Sequence, residues 1–217
     1  MIVHHLEETN SILNKFIAEI RDVNVQKDSL RFRRNIERIG EILSYELSKN
    51  LDYSSENITT PLGKKESFLP TKNIVLGSIL RAGLPLHQGL LNYFDDAENA
   101  FISAYRNHPN NDAEFEIVVE YFASPSIDHK TLILADPMLA TGQSLVSVYE
   151  AIKKYGNPKE LHLVCVIGAK DGIEFIKNHF PENTHLWIAA IDDELNDKGY
   201  IVPGLGDAGD LAFGAKL

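Results

Sequence analysis

The stretch Thr131–Ser144, TLILADPMLATGQS, restricts the possible folds more than any other part of the chain. Thr131–Ala135 is apolar throughout, of strand length and rich in β-branched and leucine residues. That composition suits a parallel strand covered on both faces better than a half-exposed one. Asp136 stands at its carboxyl end. Past Thr141-Gly142-Gln143-Ser144, apolar residues recur at helical spacing in Leu145, Val148, Ile152 and Tyr155, so the glycine turn falls where a helix begins. A helix start presents unpaired backbone N–H groups and the positive end of the peptide dipoles, and an anion fits there.

The same strand–turn–helix pattern recurs. Asn73–Leu80 reads as a strand running into Arg81-Ala82-Gly83, after which Leu84, Leu86, Leu90 and Leu91 predict a helix. Ala100–Tyr105 is a short strand ending on Arg106. Gly156 and Pro158 stop the central helix, Leu161–Ile167 is a continuous apolar strand, Asp171 caps a short helix ending before Pro181, and His185–Ala190 is a further strand. Strands alternating with helices predict an α/β fold, a mainly parallel sheet flanked by helices, in which ligands lie beyond the carboxyl ends of the strands.

The remaining segments decorate this unit, which spans 1–217 as one domain. An N-terminal helical segment occupies 1–50. Asn10 or Ser11 caps a first helix with Leu13, Phe16, Ile17 and Ile20 on one face. Asp28-Ser29 opens a second, with Phe32, Ile36, Ile39, Leu43 and Leu47 as its stripe and Arg31, Arg33, Arg34 and Arg38 on a solvated face beside it. Tyr53–Thr71, with Pro61, Gly63 and Pro70, reads as loop or short irregular strands. Residues 107–122 form a β-arm: a polar, turn-prone stretch is followed by two-residue alternation through Phe115, Ile117, Val119 and Tyr121. The arm either covers a site or pairs with another subunit. Gly199–Gly214, GYIVPGLGDAGDLAFG, is too glycine-rich for a helix and predicts an ordered loop with close backbone approaches.

Composition narrows the function. A formal charge of −10 argues against a general polynucleotide surface while leaving room for a local basic pocket. No membrane span is visible, and the start of the chain lacks the basic and apolar segments of a secretory leader. The single cysteine, Cys165, lies in an apolar run and reads as a buried thiol in a reducing, cytoplasmic setting. The histidines show no zinc-ligand spacing and read as surface or packing residues, Trp187 reads as core, and Asp192-Asp193-Glu194 reads as a solvated turn with a minor positioning role left open.

A glycine turn alone is weak evidence for phosphate, because tight strand-to-helix connections need glycine for structural reasons. Here Asp136 and the Thr141–Ser144 turn leave one strand, Arg81-Ala82-Gly83 a second and Arg106 a third. A carboxylate beside a phosphate cradle suits sugar hydroxyls, and two arginines clamp further phosphates. The implied ligand is a sugar phosphorylated at two places.

These residues also carry a resemblance. Asp136–Ser144 resembles the signature of the type I phosphoribosyltransferases, with an interior similar to the uracil branch. Gly199–Gly214 resembles that branch's uracil-binding loop. Ser78–Leu84, Tyr105-Arg106-Asn107 and Arg31-Phe32-Arg33 match further blocks, so the likeness is collinear from about residue 28 onward. It implies transfer of the phosphoribosyl group of phosphoribosyl pyrophosphate (PRPP) to N1 of uracil, giving UMP and pyrophosphate. Mg²⁺ would be held mainly through PRPP, with no residue assigned to it directly, and the protein would be a homo-oligomer, dimer or tetramer. Residue by residue, the resemblance implies that Ala140, Thr141, Gly142, Gln143 and Ser144 hold the 5-phosphate, in a PRPP segment that includes Pro137, Met138 and Leu139. Asp136 would lie near the ribose hydroxyls, and Arg81, Ala82, Gly83 and Arg106 at the pyrophosphate. Ile201, Gly206, Asp207 and Ala208 would read the uracil edge largely through backbone groups, with Asp207 also facing PRPP. Asp136, Asp207 and Arg106 are the catalytic candidates. Gln143 in place of a second turn glycine, Lys170-Asp171 in place of Pro-Glu, and Leu211-Ala212 and Ala215 depart from the family pattern. An RNA-binding pyrimidine regulator and a catalytically silent nucleotide sensor are the competing readings.

Overall fold

Thr131–Ala135 lies at the centre of the sheet, with a buried strand on either side. The computed structural model describes residues 1–107 and 116–215, and the side chains of those outside 105–119. The chain opens with strand β1 (Ile2–His5), then helices α1 (Ile12–Arg21) and α2 (Ser29–Ser48), capped by Ser11 and Asp28. A hairpin follows, β2 (Tyr53–Thr60) and β3 (Gly63–Pro70). The repeating unit begins at β4 (Ile74–Leu80) and α3 (Gly83–Leu91), continues through β5 (Glu98–Asn107) and β6 (Glu116–Ala123), and reaches β7 (Thr131–Ala135) with the short β8 (Met138–Leu139). Then come α4 (Gln143–Ile152), β9 (Glu160–Ala169), α5 (Lys170–Lys177), β10 (His185–Asp192), β11 (Glu194–Leu195), β12 (Ile201–Val202) and α6 (Ala208–Phe213).

The main sheet runs β1-β10-β9-β7-β4-β5-β6 and is parallel except for the edge strand β6, which returns antiparallel to β5. Alternate residues of β7 serve two cores. Ile133 and Ala135 pack on the side of α1, α2 and α3 with Phe32, Ile36, Ile39 and Leu86. Leu132 and Leu134 pack on the other side with Leu145, Val148 and Ile152 of α4 and Ile173 and Ile176 of α5. Burial on both faces is the physical reason this strand carries no polar alternation. The predicted α/β class and its strands and helices are thus present. No helix among the described residues is long and apolar enough to cross a membrane.

Several expectations are corrected. Tyr53–Pro70 is a regular eight-by-eight hairpin rather than loop or short irregular strands, and every residue of β2 is exposed. Polar, exposed strands bury no alternating face, so the usual strand signal is weak there. The alternating stretch within 107–122 contributes β6, which pairs antiparallel with β5 at the edge of the main sheet, and residues 108–115 lie outside the described part. Gly199–Gly214 contains α6 as well as loop. Asp171 lies in the first turn of α5 rather than capping it. Arg31 and Arg34 are exposed as expected, whereas Arg33 and Arg38 are half-buried and lie over the rings of Phe213 and Phe16.

The histidines near the outer edge of the sheet pack as predicted. Trp187, 3% exposed, donates from Nε1 to His162 Nδ1 at 3.1 Å, and the His4 ring stacks on it with centroids 3.7 Å apart. His4 Nε2 is 2.9 Å from His185 Nδ1, which fastens β1 to β10. Burial pushes the pKa of His162 down to about 4, so the neutral ring belongs to the folded state. Cys165 is fully buried, and desolvation raises its thiol pKa well above the ordinary value.

Candidate active site

The turn after β7 is built from backbone held on three sides. Asp136 Oδ1 accepts from the Met138 N–H at 3.2 Å, an Asx-type closure that bends the chain as it leaves the strand. The Pro137 carbonyl accepts from the N–H groups of Val166 and Ile167 at 3.1 and 3.0 Å, anchoring the segment to β9. Gly142 caps α4 with φ of 80°, in the left-handed region where a side chain is strained. Gly142 itself has no side chain to cap the helix, and the N–H of Gln143, the first residue of α4, donates to Thr141 Oγ1 at 3.5 Å; the N-terminal end of a helix suits an anion. Behind the turn lies α5: a Cβ on Gly172 would stand 2.0 Å from the Ala140 carbonyl oxygen, and one on Gly142 would stand 2.7 Å from Ile176 Cγ2. Asp136, Ala140, Thr141, Gly142 and Ser144 line the resulting concavity. Gln143 is the first, half-buried residue of α4.

Beside β7 lies β4, whose end carries the second turn. Gly83 opens α3 so close to β7 that its Cβ would be 3.7 Å from the Ala135 carbonyl oxygen. Beneath it, buried Ser78 Oγ lies 2.7 Å from His87 Nδ1, tying strand to helix. Arg81 follows the strand directly. Its Nη2 donates to Asp210 Oδ1 at 3.0 Å and its Nη1 to the Gly214 carbonyl at 3.3 Å, while its buried Nε has no partner among the described residues. An orphaned guanidinium N–H in a cleft is an open position for an anion.

The terminal segment folds over this arginine. Asp207 caps α6, accepting from the Asp210 N–H at 2.9 Å, and a Cβ on Gly209 would lie 3.1 Å from Asp207 Oδ1 and 3.6 Å from Arg81 Nη2. Ile201 and Ala208 are buried, while Gly206 is exposed with φ of 93°. Arg33 Nη1 donates to the Ala212 carbonyl at 2.6 Å, so α2 holds α6 from behind. The Arg31-Phe32-Arg33 block is the sequence signal for that role, since helical periodicity alone places Arg33 on the solvated face.

The structure therefore gathers Asp136–Ser144, Arg81–Gly83 and Asp207–Asp210 at the carboxyl ends of neighbouring strands. Arg106 lies on β5, the next strand outward, past the level at which Ser103 pairs with Leu80. Its side chain is outside the described residues. A larger cavity of about 270 Å³, lined by Leu69, Ile74, Tyr93 and Phe94, lies at the opposite, amino end of β4 and holds none of the predicted site residues.

A glycine turn at a helix start, an arginine turn on the adjacent strand and a terminal loop that meets that arginine thus lie together at one end of the sheet. Comparison with known proteins gives the narrower placement. Residues 8–215 match the family model described as uracil phosphoribosyltransferase. The uracil phosphoribosyltransferase of Porphyromonas gingivalis is 52% identical over 217 residues, covering all of both chains. That of Pyrococcus furiosus is 41% identical over 99% of this chain and 91% of its own. Among solved structures, the AQ2163 protein of Aquifex aeolicus superposes over the whole of both chains with a TM-score of 0.88 at 28% identity. The chain belongs to the uracil phosphoribosyltransferase family.

Proposed function

We propose that the protein forms UMP and pyrophosphate from uracil and PRPP, with the site residues in the roles their positions favour. The observation that carries this reading is the pairing of Arg81 with Asp210, with Asp207 on the other side of Gly209: one arginine joins the anion side of the cleft to the glycine-rich loop. The amides and hydroxyls of Ala140–Ser144 take the 5-phosphate and Asp136 orients the ribose hydroxyls. Arg81, Ala82, Gly83 and Arg106 take the pyrophosphate. Breaking the bond at the anomeric carbon puts positive charge on the ribose and negative charge on the leaving group. Arginines placed at the latter stabilise the transition state more than the ground state. Ile201, Gly206 and Ala208 present backbone donors and acceptors to the alternating carbonyl and N–H edge of uracil. Cytosine reverses part of that pattern and leaves buried groups unpaired.

Among the described residues no three or more His, Cys, Asp or Glu side chains converge as a metal cage. Mg²⁺ would be carried on PRPP oxygens and water, with Asp136 as the nearby carboxylate, because this ion keeps much of its hydration and binds through few protein ligands. When bound it neutralises charge on the pyrophosphate. The setting is the cytoplasm, where a buried free thiol such as Cys165 stays reduced.

Incubation of the purified protein with PRPP and a panel of bases is expected to give UMP from uracil, no product from cytosine, and loss of turnover with EDTA. Conversion of another base in preference to uracil would overturn the specificity.

The working form is a homo-oligomer, dimer or tetramer. A lone two-stranded hairpin is marginal in water, yet β2–β3 stands clear of the main sheet with Phe68 68% and Leu62 100% exposed. Sedimentation is expected to show a dimer or larger species that Phe68→Asp shifts toward monomer. A wild-type monomer would remove the proposal.

A further inference from the structure

Base recognition by backbone groups places the demand for precision on whatever holds that backbone. Three side chains do so here, two of them far away in sequence. Arg21, the last residue of α1, makes a two-pronged pair with Asp192, Nη1 to Oδ2 at 2.7 Å and Nη2 to Oδ1 at 2.8 Å. Both partners then reach the same residue of the terminal loop. Arg21 Nη1 donates to the Gly204 carbonyl and Asp192 Oδ2 accepts from the Gly204 N–H, each at 3.0 Å. Gly204 is buried with φ of 60°, and a Cβ there would stand 2.1 Å from the Ile201 carbonyl oxygen. Gln26 secures the next residue. Its Nε2 donates to the Leu205 carbonyl at 3.2 Å and to the Ile20 and Arg21 carbonyls at 2.8 and 3.3 Å.

Asp192 is 7% exposed, unlike Asp193 and Glu194 beside it, so the solvated-turn expectation fails at this one position. A fork-to-fork arginine–carboxylate pair fixes direction as well as distance. Its fixed direction is passed to both polar groups of Gly204 and, through Gln26, to Leu205. The backbone assigned to the base lies on both sides of this pair, at Ile201 before it and from Gly206 after it.

We infer that Arg21, Asp192 and Gln26 are positioning residues for the base: they set the register of the Gly204–Ala208 backbone and with it the choice of uracil over other pyrimidines. The inference rests on the reading of Ile201–Ala208 as the base-recognition loop. None of the three touches the substrate in this role; each acts through loop backbone. Arg21→Lys keeps the charge but loses the fork, and Gln26→Met keeps the bulk but loses the amide while leaving the Arg21–Asp192 pair in place.

Steady-state kinetics of both variants test it, with uracil and PRPP varied separately and thermal unfolding followed in parallel. The expected result is a uracil KM raised about tenfold, the scale of one positioning hydrogen bond, a PRPP KM within about twofold of wild type, and a smaller preference for uracil over cytosine. Unchanged uracil KM, or uracil and PRPP KM rising together, would overturn the inference. Gln26→Met carries the decision if Arg21→Lys fails to fold. Asp207→Asn run alongside separates the two levels: intact turnover in that variant sinks the site assignment, whereas impaired turnover there with unchanged uracil KM in the clamp variants sinks only the clamp.

Discussion

Asp207→Asn is expected to lower kcat/KM for UMP formation by about a hundredfold and to leave the melting temperature close to wild type. Asp207 holds two jobs in one side chain. As the N-cap of α6 it accepts the Asp210 N–H, and asparagine serves at N-caps about as well as aspartate. The amide oxygen therefore keeps the fold. What is lost is the charge beside Arg81 and the cleft. A group that stabilises developing charge in a water-poor site contributes on the order of 10²–10³ in rate, so the loss falls on turnover rather than on stability. Steady-state kinetics with thermal unfolding separates the two. A variant with wild-type kinetics removes Asp207 from the chemistry. Asp207→Ala, which forfeits cap and charge together, gives the stability change that Asn does not, about 1 kcal/mol.

Gly172→Ala is expected to raise the KM for PRPP at least tenfold and to destabilise the fold by about 1–3 kcal/mol, the usual cost of forcing a methyl into filled space. The added Cβ would lie 2.0 Å from the Ala140 carbonyl oxygen and 3.1 Å from that of Leu139. Both neighbours are backbone, so no side-chain rotation relieves the overlap. Either α5 retreats or the turn from Leu139 to Gly142 moves into the cleft. Gly63→Ala is the matched control, because a Cβ at that hairpin position meets nothing within 4 Å. Titration with PRPP and thermal unfolding of both variants provides the check. Unaltered PRPP affinity in Gly172→Ala would show that the turn does not depend on α5 for its position.

The two outcomes probe different halves of the site, and the halves were legible to different degrees. Thr131–Ala135 announced itself because a strand buried on both faces carries a nearly continuous apolar run, here Leu132–Ala135 after Thr131, and Gly142 because a left-handed helix start admits little else. Arg81 was legible as the residue after an apolar run. Hairpin β2–β3 was not, since strands that bury neither face carry no alternation to detect. Arg33 and Asp192 were misassigned for a related reason. Their neighbours Arg31, Arg34, Asp193 and Glu194 are exposed, and one buried charge among solvated ones leaves no local mark.

Local order along the chain thus settled the α/β class, the order of strands and helices, the glycine turn after β7 and the family, because backbone conformation and burial pattern are written over short spans. Only the tertiary structure decided that β7, β4 and β5 lie side by side, that Arg81 meets Asp210, and that Arg21 at the end of α1 grips Gly204 through Asp192. Those partners are 129, 171 and 183 residues apart in sequence. Pairing across such distances follows from how the helices and terminal loop pack on the sheet, and no periodicity or spacing in the sequence encodes it.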